Sequence, residues 1–159
     1  MSLAQTRLTE ERKAFRKDHP VGFHARPVTN ADDTLNLLKW TCGVPGKVGT
    51  PWEGGIYDVT ITFKDDYPSR PPVCSFPKGF FHLNCFPSGD ICLSILNNEW
   101  KPSISIKNIL LGIQELLDSP NPDSAANSEA YSLWKKDKAG YLKRIKDQAK
   151  LYDAQRLLE

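Results

Sequence analysis

Phe81-His82-Leu83-Asn84-Cys85-Phe86-Pro87-Ser88-Gly89-Asp90-Ile91-Cys92-Leu93-Ser94-Ile95-Leu96 is the stretch around which the rest of the chain is organised. Its first half reads as loop. It holds a His, an Asn, a Pro and a Gly and shows no alternation. From Ile91 to Leu96 it turns apolar. Cys92 therefore stands where a loop runs into a segment expected to be buried. A thiol there is held rigidly and is still reached from solvent, and no other cysteine of the chain has such a setting.

Thiolate is the reactive form of cysteine. Within four residues of Cys92 the one charge is Asp90, which opposes a thiolate. This does not read as a protease-type nucleophile activated by a neighbouring imidazolium. It suits a carrier thiol, which takes an acyl group from one thioester and passes it to an amine. A serine ester would react far more sluggishly with that amine. The attack creates an oxyanion, and Asn84 is the candidate donor to steady it. Asn84 has a second reading, as a turn residue whose amide ties down its own loop. His82 reads as a hydrogen-bonded loop histidine rather than a base.

Upstream of this stretch the chain reads as one helix and four strands. Ser2–Lys17 is the helix, with Ala4, Leu8 and Phe15 on one stripe and Ser2 as its cap. Pro20 and Gly22 end it. His24–Val28, Leu35–Val44, the alternating run around Tyr57–Phe63 and Val73–Phe76 read as strands. Tyr67-Pro68-Ser69-Arg70-Pro71-Pro72 breaks the pattern, because three prolines remove three donors. Tight connections with no intervening helix imply an antiparallel meander. Downstream, Ser105–Asp118 carries Ile106, Ile109, Leu110, Ile113, Leu116 and Leu117 at helical spacing, with Ser105 as cap. Helices at 128–136 and 138–152 follow, and the last residues are expected to fray. The fold class is α+β in a single domain spanning 1–159.

With 159 residues the chain can bury a real core. It shows no leader and no apolar run near 18 residues, which reads as neither secreted nor membrane-spanning. The four cysteines, 42, 74, 85 and 92, then do not read as a disulfide framework, and a reducing compartment, nucleus and cytoplasm, is expected. Residues 1–20 hold five basic and three acidic side chains, and 135–150 hold seven and two, on a middle summing to −4. Basic ends on a mildly acidic body point to acidic protein partners. No nucleic-acid motif supports the competing reading. The spacings of Cys74, His82, Cys85 and Cys92 lack the paired knuckles of structural zinc, so no metal is expected.

His82-Leu83-Asn84 followed by Pro87-Ser88-Gly89-Asp90-Ile91-Cys92-Leu93-Ser94-Ile95-Leu96 resembles the active-site signature of the ubiquitin-conjugating enzyme family, with Leu83 where the family has Pro. The wording is similar to its SUMO-conjugating branch. So is Glu11-Arg12-Lys13-Ala14-Phe15-Arg16-Lys17-Asp18-His19-Pro20, with Phe15 for the branch's Trp. Trp52-Glu53-Gly54-Gly55 and the proline loop match in place and order. The resemblance covers roughly residues 3–150.

The resemblance implies a ubiquitin-conjugating fold and a SUMO-protein transferase that needs no cofactor. Cys92 would accept SUMO from the SUMO-activating enzyme as a thioester and pass it to lysines of substrate proteins, with SUMO ligases as further partners. It implies a catalytic neighbourhood of Cys92, Asn84, Phe86 in place of Tyr, and Ser124 in place of Asp, with Asp123 beside it. Arg12, Phe15, Arg16 and His19 would meet the activating enzyme and a non-covalent SUMO. The acceptor-motif groove would involve Ser88, Asp90, Val73 and Ser75. Three of these depart from the branch: Val73 and Ser75 stand for lysines, and Asp90 for Thr. Two rivals remain. Only three residues separate Leu96 from Trp100, which favours a ubiquitin-conjugating enzyme. Leu83 and Phe86 give some weight to a non-catalytic binding variant of the fold.

Overall fold

A computed structural model describes residues 1–158. Helix α1 (Leu3–Lys17) precedes strands β1 (His24–Thr29), β2 (Leu35–Pro45), β3 (Ile56–Thr62) and β4 (Val73–Ser75). Helices α2 (Ile106–Asp118), α3 (Ser128–Lys136) and α4 (Lys138–Leu151) follow. The sheet is an antiparallel meander in the order β1-β2-β3-β4. The fold class read from the sequence is the one observed.

Alternation builds the core side of the sheet. Trp40, Cys42 and Val44 of β2 and Tyr57, Val59 and Ile61 of β3 are buried. They form one cluster with Ile106, Ile109, Leu110, Ile113, Leu116 and Leu117 of α2. Each fully buried Ile or Leu there contributes about 2 kcal/mol. Helices α1 and α2 both start with a capping box, on Ser2 with Gln5 and on Ser105 with Asn108.

Glu11 ties these two helices together. It sits on the Ala4–Leu8–Phe15 stripe and is only 8 % exposed. Its carboxylate accepts from the Ile106 amide at 3.0 Å, at the positive end of α2. Arg7 donates to the Pro102 and Ile104 carbonyls at 2.7 and 3.2 Å, fixing the approach to the same helix.

Two expectations are corrected. Residues 152–156, within the end expected to fray, are tied to β3 and the loop before it. The Ile56 amide donates to the Tyr152 carbonyl at 2.9 Å, the Ala154 amide to Gly54 at 3.0 Å, and Arg156 to the Ile56 carbonyl at 2.6 Å. The Phe81–Leu96 stretch is inverted relative to its hydropathy. Phe81–Cys85 is loop, as read, but a buried one, whereas Leu93–Ile95, expected to be buried, is half-buried or exposed around a single 3-10 turn at Ser94–Leu96. Polar His82 and Asn84 can be buried because the backbone supplies partners for them.

Candidate active site

Gly89–Cys92 runs as a short extended segment between β4 and residues 84–86. On one side the Phe76 amide donates to the Gly89 carbonyl and the Ile91 amide to Cys74, each at 2.9 Å. On the other, the Phe86 amide donates to the Asp90 carbonyl at 2.9 Å and the Cys92 amide to Asn84 at 2.8 Å. Side chains of an extended segment alternate. Ile91 is buried, while Asp90 and Cys92 on either side of it turn outward. Gly89 makes the close approach possible. Its φ is +100°, and a Cβ there would collide with the Phe76 carbonyl.

Asn84 is fully buried. Its Nδ2 donates to the Asn121 and Ser124 carbonyls, both at 2.8 Å, and its Oδ1 accepts from the Asn121 amide at 2.8 Å. Both amide protons are thus committed. The side chain clamps the 121–124 loop, a different loop from its own. His82 Nε2 donates to the Leu116 and Leu117 carbonyls at the end of α2, and Nδ1 accepts from the Asn84 amide at 3.0 Å. Burial pushes its pKa down to about 4, so it is neutral and structural. The Leu83 side chain is buried, and its carbonyl accepts from the Ala126 and Asn127 amides.

The four thiols separate clearly. Burial raises Cys42 and Cys85 to about 12 and pushes Cys74 up as well. The Cys85 thiol donates inward to the Gly89 carbonyl at 3.2 Å. Cys92 alone is not buried.

Cys92 lies between two grooves. One, of about 560 Å³, is lined by Cys92, Ser94, Asn97, Leu116, Asn121 and Ser124 among others. The other, of about 300 Å³, brings Cys92 together with Val73, Phe86 and Asp90. Ser124 and Phe86 thus line different grooves beside Cys92. Asp123 is exposed and lines neither groove. Ser75 is bridged to Asp90 through the backbone, and Ser88 accepts from the Asp90 amide at 3.3 Å. These two support the segment rather than wall the groove. Asn97, which lines both grooves, and Asn121 were missed in the sequence. Asn121 stands between two prolines, a turn signal that says nothing of its neighbour in space.

Away from the thiol, Arg16 and His19 are exposed and Arg12 is half-buried. His19 stacks on Phe15 with ring centroids 5.2 Å apart, and its Nδ1 donates to the Phe15 carbonyl at 2.9 Å. Phe15 itself is buried, which corrects its expected place in a contact face: it supports His19 from below. Among the described residues no group of three His, Cys, Asp or Glu side chains is placed to hold a metal, and no helix is long and apolar enough to cross a membrane.

Residues 7–149 match the family model described as ubiquitin-conjugating enzyme. The chain is 56 % identical over 152 residues to the Sumo-conjugating enzyme ubc9 of Dictyostelium discoideum, covering 94 % of this chain and 96 % of that one. It is 54 % identical to the SUMO-conjugating enzyme SCE1 of Arabidopsis thaliana, covering 96 % of each. The SUMO-conjugating enzyme UBC9 of Caenorhabditis elegans is likewise 54 % identical, over 96 % of this chain and 93 % of that one. With an antiparallel meander, an α2 that backs it and an accessible cysteine beside β4, the chain belongs to the ubiquitin-conjugating enzyme family.

Proposed function

We propose that this chain is a SUMO-conjugating enzyme acting through Cys92. The Cys92 thiolate attacks the carbonyl carbon of SUMO's C-terminal glycine in the activating enzyme's thioester, and the activating enzyme's thiolate leaves. A substrate lysine amine then attacks the new thioester. The Cys92 thiolate departs, the amine loses a proton, and an isopeptide bond remains. The carrying observation is that Cys92 is the one accessible thiol and stands between two grooves, as a sulfur that meets two large partners in turn must.

Three full-length relatives named for SUMO conjugation support the branch over a ubiquitin carrier, despite the short Asn97–Glu99 turn. Phe86 and Ser124 shape the approach of the lysine. Asn84 acts as a positioning residue by holding the 121–124 loop against the thiol's groove. The exposed Arg16 and His19, with Arg12, offer a basic face for SUMO and the activating enzyme. Ligases would add substrate choice, in the nucleus and cytoplasm.

Incubation with the activating enzyme, ATP and SUMO should give a shifted band on a non-reducing gel that collapses with thiol reductant. Cys92→Ala should abolish it, and Cys42→Ala should keep it. Charging by ubiquitin but not SUMO would reassign the branch. Charging by neither would reduce the protein to a binding variant of the fold.

A further inference from the structure

The basic run near the C-terminus takes no part in the site around Cys92. Its first members sit where α3 gives way to α4. Lys135, Lys136 and Lys138 are exposed, with one acid, Asp137, among them. Asp137 is engaged: its carboxylate caps α4 and accepts from the Gly140 amide at 3.0 Å. No ion pair among the described residues engages any of the three lysines. Two of them are held all the same. The Lys135 ammonium lies over the Tyr131 ring, 5.1 Å from its centroid, and the Lys138 ammonium over the Trp134 ring at 4.4 Å. The two rings are neighbours, with centroids 6.3 Å apart, and both are half-buried against the core. A lysine ordinarily loses side-chain freedom when it meets an anion. Here the rings have already restricted the two side chains, so the ammonium groups stand pre-placed for carboxylates. Nucleic acid fits the same surface less well. Its bases stack on open aromatic faces, and these faces are covered by ammonium groups.

We propose that the α3–α4 corner is a docking surface for an acidic peptide segment of a partner protein. Lys135 and Lys138 take the carboxylates, Tyr131 and Trp134 hold those lysines in place, and Lys136 adds to the attraction. None of these residues lines either groove beside Cys92 or belongs to the α1 face. The inference rests on the fold alone and holds whichever modifier Cys92 carries.

The test measures fluorescence anisotropy with the full chain carrying no modifier. The probes are a labelled peptide of alternating Glu and Gly, its counterpart with Gln for Glu, and oligothymidine. The Glu peptide should bind and the Gln peptide should not, with binding weakening as salt is raised. Lys135→Glu combined with Lys138→Glu should weaken binding about tenfold. Lys13→Glu combined with Lys17→Glu changes the net charge equally on α1 and should leave affinity within about twofold, because screened charges act only nearby. All four lysines are exposed, so these variants leave the core intact. Trp134→Phe keeps a ring beneath Lys138 and should retain binding while removing the change in tryptophan emission that the peptide causes. No binding of the Glu peptide, equal binding of the Gln peptide, or equal losses in the two double variants would overturn the proposal. Oligothymidine binding tighter than the Glu peptide would overturn it too, and assign the corner to nucleic acid.

Discussion

Cys85 and Cys92 belong to the same sixteen-residue stretch and lie on two paired segments, yet their chemistry is opposite. Cys85 faces the core, donates to a carbonyl, and is held protonated by burial. Cys92 lies beyond Ile91, on the outward side of its segment, between two grooves. Residue type is the same, and so is the neighbourhood in sequence. What differs is which side of a short extended segment each thiol occupies. The inner side is a wall of committed polar groups, His82 and Asn84 foremost. The outer side is a rim that this wall keeps in place.

Alkylation of the folded protein should show the largest contrast. Iodoacetamide should modify Cys92 on the order of a thousandfold faster than Cys42, Cys74 or Cys85, whose labelling must await opening of the core. Peptide mapping after short exposure checks this, and comparable labelling of Cys85 would erase the distinction between wall and rim. Next in size is Asn84→Ala. It leaves the Asn121 amide and the Ser124 carbonyl without their partner, and should cost about 4 kcal/mol in urea unfolding. Exchange of the Asn121 amide should speed up in parallel. Unchanged stability with lost discharge to lysine would instead return Asn84 to an oxyanion role.

A somewhat smaller effect concerns acid. His82 titrates near pH 4 when folded and near about 6.5 when unfolded. Between those values the unfolded chain binds a proton that the folded chain does not. Stability is therefore full above about pH 6.5 and falls as pH drops towards 4, by about 3 kcal/mol. His24, also lowered by burial, acts in the same direction. His82→Gln should flatten part of this slope in urea titrations at a series of pH values. An unaltered slope would remove His82 from the wall.

The sheet was legible because β2 and β3 alternate cleanly and prolines punctuate their neighbours. Helices α1 and α2 were legible from their apolar stripes and serine caps. The wall was not, because hydropathy marks His82 and Asn84 as solvent-facing. Their burial depends on carbonyls of Leu116, Leu117, Asn121 and Ser124, more than thirty residues away, that no local pattern announces. Glu11 left a usable sign. A carboxylate at the helical spacing of Ala4, Leu8 and Phe15 must face inward and find a donor, and a helix start supplies one. Gln148 left none. Its side chain accepts from the Phe81 amide at 2.7 Å and donates to the Phe81 carbonyl at 3.0 Å, and only the docking of α4 brings the two together.

That last pairing gives the molecule an order of assembly. A nascent chain has all four strands of the sheet once Ser75 has been made, and the Cys92 segment follows soon after. The backbone of Phe81, at the entrance to that segment, still waits for an amide near the far end of the chain. Until α4 has been synthesised and docked, the stretch carrying the reactive sulfur lacks its last tether. Premature release by the ribosome before Gln148 would leave a sheet with an unanchored thiol loop, a species suited to quality control rather than to acyl transfer.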